Sequence, residues 1–285
     1  MGGAAAPKMY IQEYTTSDKR GCGSAGRGGP MSLPTTMVGC SPKSYLTAET
    51  GLRWLDAVRA GLERTPQRGA GVFVCVPAAL LTRAVDALQP LGVVVGTQDV
   101  SAFPAGAYTG EDNAQLLSGL GSRLAMIGHP ERVRYFGETS EVFGAKAREA
   151  AAAGIAPVLI VGEPERGADP EHVILPQLDA AFGGIPEDAP VVVAYEPTWA
   201  IGAAEPAPPA HVVGVVARVR ELMSHRAGEV RVIYGGSAGP GTFAAIAAAG
   251  REAGRIDGIP DGVFLGRAGV DAAGFLTTIA EVRSS

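Results

Sequence analysis

The sequence contains little cysteine, no long apolar run and no cluster of basic residues. Its three cysteines, Cys22, Cys40 and Cys75, lack CxxC spacing, so neither a disulfide framework nor a zinc site is indicated. No apolar run reaches the ~18 residues of a membrane helix, and no secretory apolar segment follows the first methionine. The net charge is -5, with both signs interspersed. We therefore expect a cytoplasmic protein that acts on a small molecule, with neither nucleic acid nor membrane as partner.

The first 30 residues differ in composition from the rest of the chain. They are rich in glycine, have few core-forming residues and show no sustained period, which predicts a disordered extension over 1–30. Met31 offers a second plausible translation start. The remainder, 31–285, is predicted to be one catalytic domain, because its length is close to the ~250 residues of a (β/α)₈ barrel.

From Met37 onward, short apolar runs alternate with stretches in which apolar residues recur at helical spacing. The predicted strands are 37–40, 71–77, 92–98, 123–128, 156–162, 190–195, 230–236 and 262–266. The clearest predicted helices are 48–62, 77–88, 138–153, 211–225 and 240–249. Nearly continuous Val, Ile and Leu indicates a parallel sheet covered by helices. Eight such units predict a closed (β/α)₈ TIM barrel of α/β class. The alternative is a doubly wound open sheet, which the lack of a GxGxxG motif after the first strand disfavours in its dinucleotide-binding form.

Polar residues that could take part in catalysis lie at the predicted carboxyl ends of the strands. Barrels of this class have their active sites at that end. Lys43 follows the first strand, His129 the fourth and Glu196 the sixth. A Gly-Gly-Ser sequence (235–237) follows the seventh strand, and Gly266-Arg267 follows the eighth. A lysine, a histidine, a glutamate and a glycine-rich loop on one rim suggest proton transfer on a phosphorylated substrate.

Five segments resemble the signature motifs of the triosephosphate isomerase family, in that family's order and spacing. They are GAYTGE (106–111), IGHPERVRYFGE (127–138), AYEPTWAIG (194–202), YGGS (234–237) and GVFLGRAGVDAAGF (262–275). The resemblance runs from about 37 to 282 and implies a homodimeric aldose–ketose isomerase. The reaction that the resemblance favours is the interconversion of glyceraldehyde 3-phosphate and dihydroxyacetone phosphate through an enediol(ate). Such a proton shift needs a base, an electrophile and charge stabilisation, so we expect neither a metal nor an organic cofactor.

The resemblance assigns catalytic roles to three residues. It implies that Glu196 is the base, that neutral His129 polarises the substrate carbonyl, and that Lys43 stabilises the developing charge. Pro130 fits the first position of a helix, so His129 is expected at a helix N-terminus that disfavours its charged form. Each residue also has a non-catalytic alternative. Glu196 would be a strand-end residue paired with a cation, His129 would only cap a helix, and Lys43 would be a solvated loop residue.

The resemblance also assigns supporting and substrate-binding residues. It makes Glu131 the anchor of Lys43, and Thr109 a residue that buttresses the partner subunit's site. The predicted substrate-binding residues are Gly202, Gly235, Gly236, Ser237 and Gly266, whose backbone would hold the phosphate, together with Ser41 and Arg267. A plain turn explains any one glycine pair equally well; only the two loops together favour phosphate.

Several positions depart from the family pattern. Ser41 replaces an asparagine that approaches the substrate oxygens, Pro130 replaces a serine and Asp99 replaces an asparagine. The segment 203–210 lacks a threonine-glycine pair and gains three prolines.

Arg267 occupies a position usually held by glycine, and it either binds phosphate or points to solvent. The Gly-Arg pair resembles isomerases of four-carbon ketose phosphates such as erythrulose phosphate, which are the alternative function. A non-catalytic barrel that binds sugar phosphates is a remote alternative. The remaining histidines, His172, His211 and His225, fall in helical stretches and are expected to face solvent.

Overall fold

Eight short apolar strands form the centre of the computed structural model, which describes residues 32–201 and 206–285. The strands are β1 Met37–Cys40, β2 Val72–Val76, β3 Val94–Thr97, β4 Leu124–Ile127, β5 Ala156–Val161, β6 Val191–Tyr195, β7 Val230–Tyr234 and β8 Gly262–Leu265. All neighbours are parallel, and β8 returns to pair with β1, where Val38 lies opposite Val263. This closure confirms the predicted (β/α)₈ barrel and excludes the open sheet.

Helices connect successive strands around the outside of the barrel. The α-helices in the described residues are α1 Ala48–Glu63, α2 Leu81–Leu88, α3 Ala114–Gly119, α4 Pro130–Phe136, α5 Ser140–Ala152, α6 Pro170–Phe182, α7 Pro209–Leu222, α8 Thr242–Glu252 and α9 Ala272–Ser284. The predicted helix over 77–88 is divided into a 3₁₀ turn, Ala78–Leu80, and α2. Two helices, α4 and α5, connect β4 to β5. None of the helices in the described parts of the chain is long and apolar enough to cross a membrane.

Two apolar layers hold the fold together. Side chains inside the barrel form one layer, in which the rings of Phe73 and Phe264 lie 5.1 Å apart. Gly39 makes room there, because a Cβ atom at this position would overlap the Phe73 ring. The second layer lies between the strands and the helices, where the Trp54 indole donates a hydrogen bond to the carbonyl of Gly269. With its interior filled in this way, the barrel leaves its carboxyl end as the place for a site.

Two of the sequence predictions fall outside the described residues. One is the extension over 1–30, and the other is the phosphate ligand Gly202.

Candidate functional site

The carboxyl ends of the strands surround a cavity of about 450 Å³. Nine of the residues singled out in the sequence line it: Ser41, Lys43, His129, Glu131, Glu196, Gly235, Ser237, Gly266 and Arg267. Gly236 and Thr109 do not, and Gly202 lies outside the described residues. The rim therefore gathers most of the predicted site into one concave space.

Glu196 lies directly after β6, and its carboxylate is buried at the base of the cavity, with 7 % of the residue exposed. Its backbone N–H donates to the carbonyl of Val161 at 2.7 Å, which continues the sheet by one residue beyond the strand. Burial raises the pKa of Glu196 to about 8, and the opposing charge of Lys43 only partly offsets that effect. A carboxylate with a raised pKa is a stronger base when it is ionised.

His129 caps the N-terminus of α4, as predicted from Pro130, which occupies the first helical position. Its Nδ1 accepts the backbone N–H of Glu131 at 3.1 Å, so the neutral ring carries its proton on Nε2. Burial, together with the positive charge of Lys43, lowers the pKa of His129 to about 4. Nε2 lies 4.0 Å from Oε2 of Glu196. The imidazole is thus a neutral N–H donor that faces the same space as the carboxylate.

Lys43 follows β1 in a left-handed backbone conformation, with φ of 48°, which is uncommon for a residue with a side chain. Its Nζ lies 2.7 Å from Oε1 of Glu131, and Gln98 donates to its carbonyl oxygen at 3.0 Å. The exit of β8 packs close by, because a Cβ atom at Gly266 would be 3.3 Å from Cε of Lys43. These contacts hold the ammonium group at the cavity wall.

The loop after β7 packs closely against the Glu196 carboxylate. A Cβ atom at Gly235 would overlap Oε1 of Glu196, and it would lie 2.6 Å from Cγ. Ser237 has φ of 55°, and its hydroxyl donates to the carbonyl of Ala200 at 2.7 Å. Gly235 therefore makes room for Glu196 as well as exposing backbone to the cavity, and only the second role was predicted from the sequence.

Two of the departures from the family pattern face the cavity. The Ser41 hydroxyl is buried, and no group among the described residues hydrogen-bonds to it. A buried hydroxyl without a partner is costly, so a ligand that hydrogen-bonds to Ser41 would be favoured. Arg267 lies in the 3₁₀ turn after β8 and also lines the cavity, as does Tyr45. A guanidinium and two hydroxyls are thus available to an anionic, polyhydroxylated ligand.

Asp99, a third departure, belongs to a cluster of charges behind the site. Its carboxylate lies 2.5 Å from Nζ of buried Lys146 and 3.1 Å from the guanidinium of Arg132. Lys146 also pairs with Glu138 at 2.6 Å. Because Arg132 lies on α4, the cluster attaches this helix, which His129 caps, to the loop that follows β3.

Glu163, after β5, receives a set of hydrogen bonds that the sequence did not predict. Its carboxylate is fully buried, and Oε1 accepts from the Tyr195 hydroxyl at 2.9 Å and from the Trp199 indole at 3.0 Å. Nε2 of His211 lies 2.9 Å from the same oxygen.

The expectation that His211 faces solvent is therefore wrong. Only 30 % of its side chain is exposed, because the start of α7 carries it against Glu163. His172 and His225 are exposed, as predicted. No spacing rule links residues 163 and 211, so the contact depends on the closed barrel.

Groups of three or more His, Cys, Asp or Glu side chains able to hold a metal ion are not found in the parts of the chain that the structure describes.

Comparisons with known proteins show which family the chain resembles. A sequence model of the family described as triosephosphate isomerase matches residues 36–282. An L-erythrulose-1-phosphate isomerase of Pectobacterium atrosepticum is 37 % identical over 255 residues, covering 86 % of this chain and 95 % of the relative. A triosephosphate isomerase of Paracidovorax citrulli is 39 % identical over 235 residues, covering 79 % of this chain and 90 % of the relative.

A solved structure shows the same fold. The crystal structure of triosephosphate isomerase from Bartonella henselae superposes with a TM-score of 0.71 at 28 % identity, covering 88 % of this chain and all of the other. With the family match over most of its length, this chain belongs to the triosephosphate isomerase family.

Proposed function

We propose that the protein is an aldose–ketose isomerase of short sugar phosphates, which moves a proton between neighbouring carbons through an enediol(ate). The observation that carries the proposal is the pairing of Glu196 with His129 in one buried space, 4.0 Å apart. Their pKa values are displaced in opposite directions, to about 8 and about 4. A base and a neutral hydrogen-bond donor are the two groups that a proton shift next to a carbonyl requires.

The mechanism follows from these positions. Glu196 removes a proton from the carbon beside the substrate carbonyl, while the Nε2–H of His129 donates a hydrogen bond to the carbonyl oxygen. The electron pair of the C–H bond forms the enediolate double bond, and Lys43 stabilises the negative charge on oxygen. Glu196 then returns the proton to the neighbouring carbon, and the hydroxyl proton of the enediolate passes from one oxygen to the other, so the ketose and the aldose have the same composition.

The first proposed substrates are dihydroxyacetone phosphate and glyceraldehyde 3-phosphate. The family match and most of the named relatives support this pair. The second candidate is a four-carbon ketose phosphate, which two observations favour. Arg267 and the short Ser41 side chain both line the cavity, and the relative named L-erythrulose-1-phosphate isomerase aligns over 95 % of its length.

The substrate is tested by measuring kcat/KM for dihydroxyacetone phosphate and for erythrulose phosphate, with wild-type protein and Arg267→Gly. One carbon is worth only ~1–3 kcal/mol in a simple pocket, so activity on both compounds is expected. A tetrulose preference above about tenfold that Arg267→Gly reduces would replace the first candidate by the second. Absence of isomerisation of both compounds would refute the isomerase and favour a sugar-phosphate-binding barrel.

We also propose that two copies of the chain pair through the face beside the site. This face exposes large apolar side chains, Tyr45, Tyr108, Val133, Tyr135 and Phe136, the last two at 65 % and 67 %. It adjoins a cavity of about 340 Å³ that reaches Lys43 and His129, where the loop carrying Thr109 of a second copy would fit. An exposed apolar surface of this kind is typical of an interface.

Sedimentation tests the dimer. Phe136→Asp should shift it towards monomer and lower activity, whereas Ile256→Asp, at an exposed apolar residue in the turn before β8, should change neither. A fully active wild-type monomer at assay concentration would contradict the dimer.

A further inference from the structure

The Glu163 carboxylate joins three parts of the chain on either side of the base. Tyr195 immediately precedes Glu196, and Trp199 lies in the 3₁₀ turn Thr198–Ala200 that follows it. His211 lies in the first turn of α7, beyond residues 202–205. All three side chains meet Oε1 of Glu163 at 2.9 to 3.0 Å.

The hydrogen bonds have a defined direction. Burial alone would raise the pKa of Glu163, but a hydrogen bond from His211, one from the backbone of Glu163 itself, and those from Trp199 and Tyr195 together outweigh it and hold the pKa below its ordinary value. The carboxylate is therefore ionised and can only accept, so Nε2 of His211 donates to it. Hydrogen bonds to an ionised group are roughly twice as strong as neutral ones.

We propose, on the basis of the isomerase function above, that His211 is a positioning residue for the reaction. Through Glu163 it fixes Tyr195 and Trp199, and these two residues flank Glu196 on both sides along the chain. His211 does not line the cavity, so it acts through other groups and not on the substrate.

A purely structural role for His211 would look different. Helix α7 is attached to the barrel by buried Val212, Val213, Val215, Val216 and Val219, which supply its apolar contact. His211 instead lies at the edge of this contact, with its ring against the edge of the Trp199 indole at 5.8 Å between centroids. Its loss should therefore disturb the placement of Trp199 and Glu196 more than the stability of the barrel.

The charges around His211 do not replace its hydrogen bond. Arg166 lies over the Trp199 ring, 5.5 Å from the centroid, and is therefore associated with the indole. On the neighbouring helices, Glu171 of α6 pairs with Arg218 of α7 at 2.6 Å. Among the described residues, the Glu163 carboxylate accepts side-chain hydrogen bonds only from Tyr195, Trp199 and His211.

The test compares three variants of the full chain. His211→Ala removes the donor, His211→Gln retains an N–H of similar reach, and His172→Gln changes an exposed histidine of α6 whose imidazole lies 2.8 Å from Asp169. We expect His211→Ala to lower kcat at least about tenfold, with KM changed less than about threefold, because a small misplacement of reacting groups slows chemistry strongly. His211→Gln should restore most of kcat, and His172→Gln should match wild type.

A second readout does not depend on activity. The chain has two tryptophans, so a ¹⁵N-labelled sample gives two indole N–H signals, from Trp54 and Trp199. His211→Ala should shift the Trp199 signal and leave the Trp54 signal unchanged, whereas His211→Gln should shift neither strongly.

The outcomes separate this inference from the function on which it rests. An active wild type with unchanged kcat in His211→Ala would overturn the positioning role. Equal loss in His211→Ala and His211→Gln would also overturn it, because an N–H donor at this position would then not restore activity. A wild type inactive on both short sugar phosphates would overturn the proposed function and, with it, this role, even if the indole signals still showed the contact.

Discussion

Two buried glutamates at the ends of neighbouring strands have opposite properties. Glu163 follows β5 and Glu196 follows β6, and both carboxylates are shielded from water. Glu163 accepts three hydrogen bonds, and its pKa is lowered. Glu196 accepts no side-chain hydrogen bond from the described residues, and burial raises its pKa to about 8.

The difference shows that burial alone does not decide what a carboxylate does. Desolvation penalises the charged form of both groups, but hydrogen bonds restore it only at Glu163. A carboxylate whose charge is stabilised by hydrogen bonds, as Glu163 is through Oε1, is a weak base and a good anchor. A buried carboxylate without such bonds holds a proton strongly and suits proton transfer. The barrel places Glu163 beside Glu196. The two are linked because Tyr195, which donates a hydrogen bond to Glu163, immediately precedes Glu196 in the chain.

The largest expected effect separates the two glutamates by activity. Glu196→Gln should lower kcat by about 10²–10⁴-fold, because it removes the proposed general base. Glu163→Gln should lower kcat by only about tenfold, a loss comparable with that of His211→Ala, since it weakens the same anchor and leaves the base in place. Steady-state kinetics of both variants check this order, and equal losses would remove the distinction between base and anchor.

A smaller effect should come from crowding the base without changing it. Gly235→Ala would force a methyl group against the Glu196 carboxylate and should lower kcat by roughly 10²-fold, since a shift of about 1 Å can cost that much. Gly239→Ala, four residues along, is the matched control, because its Cβ would meet only Ala268 Cβ, at 3.5 Å. Similar activities for the two variants would show that Gly235 does not set the position of the carboxylate.

The smallest expected effect is on stability as a function of pH. Because the pKa of Glu196 rises from 4.5 to about 8 on folding, the folded protein holds this proton more tightly than the unfolded chain does. The free energy of unfolding should therefore fall as the pH rises through that window, by up to about 1.4 kcal/mol per pH unit. His129, whose pKa falls to about 4, has the opposite effect between 4 and 6.5, so the fall is expected above pH 6.5.

Denaturant titrations of wild-type protein and Glu196→Gln from pH 6.5 to 8 measure this effect. Glu196→Gln should abolish most of the slope, and Glu163→Gln should retain it. An identical slope in wild type and Glu196→Gln would show that the pKa of Glu196 is not raised.

The sequence predicted those features that depend on neighbouring residues. The Val-rich runs predicted the strands because buried parallel strands consist of nearly continuous apolar residues. Pro130 predicted the start of α4. Lys43, His129 and Glu196 were predicted to share one rim because each follows a strand end, and all three line the cavity there.

The sequence did not predict contacts between distant residues. The helical pattern around His211 does not show whether its imidazole faces water or the end of β5, and only the closure of the barrel decides it. The fit of Gly235 against Glu196 is also a packing fact, because a glycine-rich turn has the same sequence whether it faces a phosphate or a carboxylate.

Deuterium incorporation from D₂O tests the central claim, that Glu196 is the base of an aldose–ketose isomerase, most directly. Dihydroxyacetone phosphate and erythrulose phosphate are incubated in D₂O with wild type, Glu196→Gln or Glu163→Gln, and the products are observed by proton NMR. A base that exchanges its proton with solvent should leave deuterium on the reacting carbon in wild type and, more slowly, in Glu163→Gln, but not in Glu196→Gln. Deuterium incorporation by Glu196→Gln at the wild-type rate would contradict the account.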